Sequence, residues 1–318
     1  YTPPAPASRI GKPPQSRTLI RKIKMIYVLR ILEIVFPVLA ITTLGFCWGI
    51  WKKLDPKVLA ELVLFLFAPA VMFDALVRQT IDANQLLQAI GISVAIHIIP
   101  GSIAWAISTL AGIKHRIFVP GILLMNAVSL PYPLALLAYG EAGLAQVVLL
   151  SIPNVFITFT IGIYFHGGNS MSSEPFRMPA LWAAFLGLIV TMAAIPIPKF
   201  FLSFANLMGK GLYPLELFTL GYRLRSVHFT DIRFSLLVAG LRVGLGFFTA
   251  VLITHFMALE GTMRAAVFLL SCSPPAVLNY VFAERYGNEG GLAASVVFTG
   301  ILISVVSTPL VLLYLELT

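Results

Sequence analysis

The chain has 318 residues, 58% of them hydrophobic and 11% charged, with a formal net charge of +9 and a mean hydropathy of +0.92. Soluble domains carry about 25% charged residues, so a cytosolic enzyme, a nucleic-acid binder and a disordered chain are all poor fits. The composition is that of an integral membrane protein.

The positive charge is concentrated at the start, where Arg9, Lys12, Arg17, Arg21, Lys22 and Lys24 occur with no acid among them. Pro3, Pro4, Pro6, Pro13 and Pro14 share that stretch and disfavour packed structure. Residues 1–27 therefore read as a flexible basic tail: a juxtamembrane arm, a targeting segment or an extension ahead of a natural start at Met25. Cys47 and Cys272 lie in apolar runs and read as buried thiols rather than a disulfide or metal ligands.

A membrane-crossing helix needs about 20 mostly apolar residues. With Pro, Gly and charge clusters as boundaries, such spans fall near 31–51, 56–78, 86–111, 117–139 and 142–166, then near 178–197, 199–222, 231–256, 262–284 and 291–315. The polar stretch 167–177 divides them, giving a first unit over 28–166 and a second over 178–316. A β-barrel would show alternating segments of about ten residues instead. Loops after odd-numbered spans hold Lys52, Lys53, Lys57, Lys114, Arg116, Arg177, Arg223, Arg225, Arg233 and Arg285; those after even-numbered spans hold only Arg78, Lys199 and Arg264. The positive-inside rule then places the odd loops in the cytoplasm of a cell or inner membrane and both termini outside.

The two halves echo each other. MNAVSLPYPLALLAYGEAGLA (125–145) and LSCSPPAVLNYVFAERYGNEGGLA (270–293) each carry a proline-rich break, then an apolar stretch, then Tyr-Gly and Gly-Leu-Ala. Five spans per half make the second copy inverted. Inverted repeats with interrupted helices at matching positions point to a secondary transporter and to its binding site. Pro131, Pro133, Pro274 and Pro275 lack N–H donors, so each break frees backbone groups that hydrocarbon cannot satisfy. Half-helix N-termini would favour anions there, and carbonyl ends cations. Ordinary proline kinks are the alternative, weakened by the polar Asn126, Ser129, Ser273 and Asn279 alongside.

These residues resemble the auxin efflux carrier family. Asn126, Pro133 and Tyr139-Gly140 are similar to its fourth-span pattern, and SPPAVLNYVFAERYG (273–287) to its ninth-span crossover. FLFAPAVMFDALV (65–77) resembles its second span and Phe218-Thr219-Leu220-Gly221 its seventh. The resemblance implies an all-α fold of ten transmembrane helices, related to sodium/proton antiporters and bile acid symporters. Two inverted five-helix repeats would form it, a scaffold of spans 1, 2, 6 and 7 flanking a core with broken, crossing helices 4 and 9. It further implies elevator-type transport of a small organic anion, auxin-like or a dicarboxylate such as malate or malonate. The substrate residues would be Asn126, Ser129, Pro131, Tyr132 and Pro133 from the fourth span, Ser273, Pro274, Pro275 and Asn279 from the ninth, and Thr219 from the seventh. The short central loop and the residues at 275 and 279 depart from plant members.

Ionisable groups inside spans are functional candidates by default. Arg242 reads either as a countercharge for an anion or as an ion-pair partner of Glu216 or Glu33. Lys210 and Glu216 could face a cavity or pair with neighbours, and Asp74 with Arg78 has the i,i+4 spacing of an interfacial pair. His97 reads as a proton shuttle or a packing residue. No metal site, cofactor or nucleic-acid partner is expected; H+ or Na+ is the candidate coupling ion and a homodimer the candidate assembly. Gly240, Gly244 and Gly246 could pack helices within one subunit or between two. Catalytic motifs such as HExxH, GxSxG or a P-loop do not occur, so no enzyme activity is expected. The alternative to a transporter is a membrane sensor that kept a carrier fold and binds a ligand without moving it.

Overall fold

The computed structural model describes residues 15–167, 175–225, 229–287 and 289–318. Across the described residues the regular structure is helical. In chain order the helices are α1 (Gln15–Trp51), α2 (Pro56–Leu62), α3 (Ala68–Val77), α4 (Ala83–Ala111), α5 (His115–Leu123), α6 (Pro131–Ile157), α7 (Ile163–Phe165), α8 (Pro179–Met192), α9 (Lys199–Lys210), α10 (Leu212–Leu224), α11 (Ile232–Phe256), α12 (Gly261–Ser271), α13 (Leu278–Arg285) and α14 (Gly290–Leu317).

Among the described residues, six stretches are long and apolar enough to cross a membrane: Leu29–Trp51, Val58–Val77, Ala83–Ala111, Pro131–Phe165, Ile232–Phe256 and Gly290–Leu317. Large apolar side chains such as Phe36, Trp105, Leu110, Phe204 and Phe256 point outward, a surface that soluble monomers rarely expose. The chain is an all-helical, multi-pass membrane protein.

Residues 1–14 of the expected tail lie outside the described residues. From Gln15 the chain is already helical and runs unbroken into the first span, earlier than the sequence boundary at 27. Between Gln15 and Phe36 no Gly or Pro interrupts the run, so the helix propagates back from the apolar segment. Most of the central loop, 168–174, also lies outside the described residues; Pro175–Arg177 forms a single 3-10 turn.

Prolines and glycines set the irregularities. Pro69 cannot donate to the helical ladder, and the chain just before it, Val63–Phe67, widens into a π-helical turn. The long run Pro131–Phe165 is two helices hinged at Gly140, whose φ of 66° and ψ of −162° suit glycine alone. Gly287, in the second Tyr-Gly pair, has φ 70° and separates α13 from α14.

The helices pack in defined pairs: α1 along α10, α3 against α8 and α9, α6 against α12, α11 against α14, and α4 against α5. In lipid, apolar side chains gain little by meeting one another, so small residues that admit close approach set the contacts. At α1–α10 the backbones touch: a Cβ on Gly45 would collide with the Phe218 carbonyl oxygen, and one on Gly221 with that of Thr42. The Phe218–Gly221 motif thus serves packing. Of the eighth-span glycines, Gly246 abuts the Ser271 carbonyl, whereas a Cβ at Gly240 or Gly244 would meet nothing within 4 Å.

Asp74 ties α3 to α9. It accepts from Arg78 Nη2 at 2.8 Å and from Asn206 Nδ2 at 2.8 Å. The hydrogen bond from Arg78 to Asp74 raises the guanidinium above its ordinary value. Asp74→Ala leaves both donors without their acceptor and is expected to cost about 1–3 kcal/mol, read as a lower unfolding temperature in detergent. Asp74→Asn keeps an acceptor and should lose less.

Candidate functional site

Both proline-rich breaks lie side by side in the structure. Helix α5 ends at Leu123, after which Leu124 turns extended with φ −93° and ψ 122°; α6 resumes at Pro131. In the other half α12 ends at Ser271 and α13 resumes at Leu278. The two interruptions pair as an antiparallel bridge between Met125 and Pro275. Asn126 N donates to the Pro274 carbonyl at 2.9 Å and Ala276 N to that of Leu124 at 2.9 Å. Each break satisfies backbone groups that the other frees, which is how non-helical chain survives at membrane depth.

Around this bridge the polar side chains form a short chain. Asn126 is 6% exposed, and its Oδ1 accepts the Ser129 N–H at 3.1 Å. Its Nδ2 is buried with no hydrogen-bond partner. Ser129 Oγ donates to Glu216 Oε1 of α10 at 2.6 Å. Pro131 and Pro133 occupy the first turn of α6 and have no N–H, while Tyr132 N and Leu134 N bond back to the carbonyls of Val128 and Leu130. Donors at this helix end therefore come from side chains: the Ser129 hydroxyl and the Asn126 amide.

The remaining expected site residues have other partners. Tyr132 is fully buried and its hydroxyl meets Ser151 Oγ at 2.6 Å. Because Ser151 gives its own proton to the Val148 carbonyl, Tyr132 is the donor. Ser273 Oγ donates to the Leu269 carbonyl at 2.7 Å and Thr219 Oγ1 to that of Leu215 at 2.7 Å; each caps its own helix turn. Pro274 contributes its carbonyl to Asn126 N. The Pro275 ring fills the space left by the missing side chain of Gly300. Asn279 is buried and interacts with His166 at the far end of α7. Lys210 is exposed at the end of α9, apart from Glu216.

Arg242 is completely buried. Its Nη2 reaches the Leu270 carbonyl at 3.5 Å, while Nε and Nη1 have no hydrogen-bond partner. Among the described residues the ion pairs are Arg30–Glu316, Arg78–Asp74 and Lys114–Glu289; Arg242 pairs with neither Glu216 nor Glu33. Its charge sits instead at the carbonyl end of α12, where a helix dipole favours a cation.

His97 is likewise completely buried. Its ring nitrogens lie 2.6 Å from the Ser93 carbonyl and 2.8 Å from Asn154 Oδ1. Each residue stands one turn before a glycine packed on the end of a broken helix: Gly101 on Leu123, Gly246 on Ser271. In the sequence both residues are followed by a glycine four positions on. No residue spacing announced the link from Arg223 Nη1 to the Tyr280 hydroxyl at 2.8 Å.

A cavity beside the bridge, lined by Leu130, Cys272, Ser273, Pro274 and Thr308 among others, measures about 10 Å³. It holds one water at most. A wider cleft of about 1240 Å³, lined by Trp105, Lys114, His115, Arg116, Tyr164 and Glu289 among others, opens at the opposite end of α5.

Residues 168–312 match the family model described as membrane transport protein. An uncharacterized transporter of Methanocaldococcus jannaschii is 24% identical over 294 residues, covering 84% of this chain and 93% of the relative. A second uncharacterized transporter, from Methanothermobacter thermautotrophicus, is 25% identical over 294 residues, covering 87% of this chain and 96% of the relative. The motifs around the two breaks agree with these matches, and over residues 168–312 the chain is similar to the membrane transport protein family.

Proposed function

We propose that the chain is a secondary active transporter that carries a small organic anion, a monocarboxylate or dicarboxylate, by moving a core of broken helices against a scaffold. The observation that carries this reading is the buried, unpartnered Asn126 amide at the paired breaks. A buried donor left unmade costs about 1–3 kcal/mol, and a carboxylate is the ligand that would satisfy it beside the Ser129 hydroxyl.

Ten spans in two inverted repeats, 28–166 and 178–316, account for the packing pattern. The contact of α1 with α10 has its mirror in α8 with α3, that of α4 with α5 in α11 with α12, and that of α4 with α6 in α11 with α14. The glycine hinges at 140 and 287 and the pair His97 and Arg242 fall at matching places. On this reading α1, α2, α3, α8, α9 and α10 form the scaffold, and the polar ties Ser129–Glu216 and Tyr280–Arg223 are remade as the core moves. The small cavity beside the bridge fits such a cycle, since it would admit substrate only after the core shifts. Both termini would face away from the cytoplasm.

Purified protein in liposomes, loaded with one carboxylate and presented with its labelled form, tests the proposal. Malate, malonate, short-chain acids and indole-3-acetate make up the panel. Saturable counterflow of at least one class is expected. Binding without any counterflow would replace the transporter by the sensor, and neither binding nor counterflow would remove the anion from the reading.

A further inference from the structure

Glu216 is a partly buried acid on α10, and withdrawing a carboxylate from water is costly unless its charge is met. Two features meet it. Ser129 Oγ donates to Oε1 at 2.6 Å, and Ser129 stands just before the N-terminus of α6, the positive end of a half-helix. Asn126 Oδ1 holds the Ser129 N–H in turn. A side-chain carboxylate of the protein thus already occupies the donor that the paired breaks offer to an anion, and the second donor, Asn126 Nδ2, is buried and unfilled beside it.

We propose that Glu216 is a tethered stand-in for the substrate carboxylate, and that an anion loads at Asn126 and Ser129 only as Glu216 takes up a proton. The inference rests on the anion-transport reading above. Two carboxylates competing for one hydroxyl and one helix end repel each other, and a shared site of that kind keeps one of them protonated. Protonation has a second effect. The neutral carboxyl no longer holds the Ser129 hydroxyl as a charged acceptor, so that donor turns to the incoming anion. The proton ends on a Glu216 carboxylate oxygen, no covalent bond to the substrate forms, and the proton leaves when the anion does.

The groups around Glu216 leave this role to it. Arg223, on the same helix, is the charge that acts on it, and Arg223 is itself bound to Tyr280 of α13. From Ile34 to Trp51 helix α1 carries no charged residue. Helix α2 contributes the exposed Glu61, and α9 ends in the exposed Lys210. The first break contributes Asn126 and Ser129, which do not titrate.

Binding of acetate, propionate and indole-3-acetate to the purified full-length protein, followed from about pH 6.5 to 8.5 where these acids stay ionised, reads the linkage directly. Wild type should lose affinity about tenfold per pH unit on the alkaline side and take up one proton per anion bound, seen with a pH indicator in weak buffer. Glu216→Gln keeps an acceptor for Ser129 and should bind with no pH slope and no proton uptake. Infrared difference spectra of the wild type supply a readout that needs no variant: a protonated-carboxyl band should appear on binding. Carboxylate binding that is independent of pH in wild type, or a pH slope retained in Glu216→Gln, overturns the role of Glu216 and leaves anion binding standing. No binding of any carboxylate at any pH overturns the anion reading itself, and this inference with it.

Discussion

Asn126→Ala is expected to abolish carboxylate counterflow while the protein still folds and inserts. The amide would donate to a charged ligand, an interaction that contributes about 1.5–3 kcal/mol, or roughly 10- to 100-fold in affinity. In the absence of ligand the same amide burdens the fold, because Nδ2 is buried without a partner. Alanine removes that burden and loses only the bond from the Ser129 N–H, so thermal stability should stay within about 1 kcal/mol of wild type. The pairing of the two breaks runs through the backbone of Asn126 and survives the substitution. Asn126→Asp should be as inactive, by placing a second negative charge where the anion binds. Liposome exchange and melting curves on the same samples separate site from scaffold. Normal exchange in Asn126→Ala would move the anion site elsewhere.

Gly221→Leu should leave no folded protein, and Gly221→Ala should melt well below wild type. A Cβ at Gly221 collides with the Thr42 carbonyl oxygen, with the Thr42 carbonyl carbon at 2.7 Å and Phe46 N at 3.0 Å. These are backbone atoms of another helix and cannot rotate away. Overpacking costs about 1–3 kcal/mol where side chains can adjust; here α1 and α10 must separate along their length, so the upper end is expected for alanine and more for leucine. Gly240→Ala is the contrast, since nothing lies within 4 Å of its Cβ. Replacing glycine inside an exposed helix turn should be neutral or stabilise by about 0.5–1 kcal/mol. Fluorescence-detected gel filtration across a temperature series distinguishes the three variants. Equal stability of Gly221→Ala and Gly240→Ala would show that the α1–α10 contact does not hold the fold.

Legibility of the candidate site differed from residue to residue. Asn126, Ser129, Pro131 and Pro274 stand out by type and place, since prolines and small polar residues inside an apolar run are anomalies visible without coordinates. Thr219, Ser273 and Tyr132 share that appearance, yet their hydroxyls are spent on Leu215, Leu269 and Ser151. A hydroxyl in lipid finds the nearest carbonyl or neighbouring oxygen, and sequence does not show which.

What the sequence determined by itself is what depends on local composition. Hydropathy over a single run matches six of the ten expected spans, near 31–51, 56–78, 86–111, 142–166, 231–256 and 291–315, to stretches among the described residues long and apolar enough to cross a membrane; the other four fall on shorter or interrupted helices. Clustered prolines inside an apolar run mark the two breaks, whereas lone prolines such as Pro37, Pro100 and Pro309 stay within their helices; the freedom of glycine decides where the chain turns, at Gly140 and Gly287 alike. The tertiary structure alone decided the partners. The bond from Asn126 N to Pro274, the tie from Ser129 to Glu216 and the seat of Arg242 at the carbonyl end of α12 each join residues far apart in the chain. Their register is fixed by glycine contacts such as Gly45 with Phe218 and Gly246 with Ser271, and a one-residue rotation of either helix would turn each side chain by about 100° and break every one of these pairings.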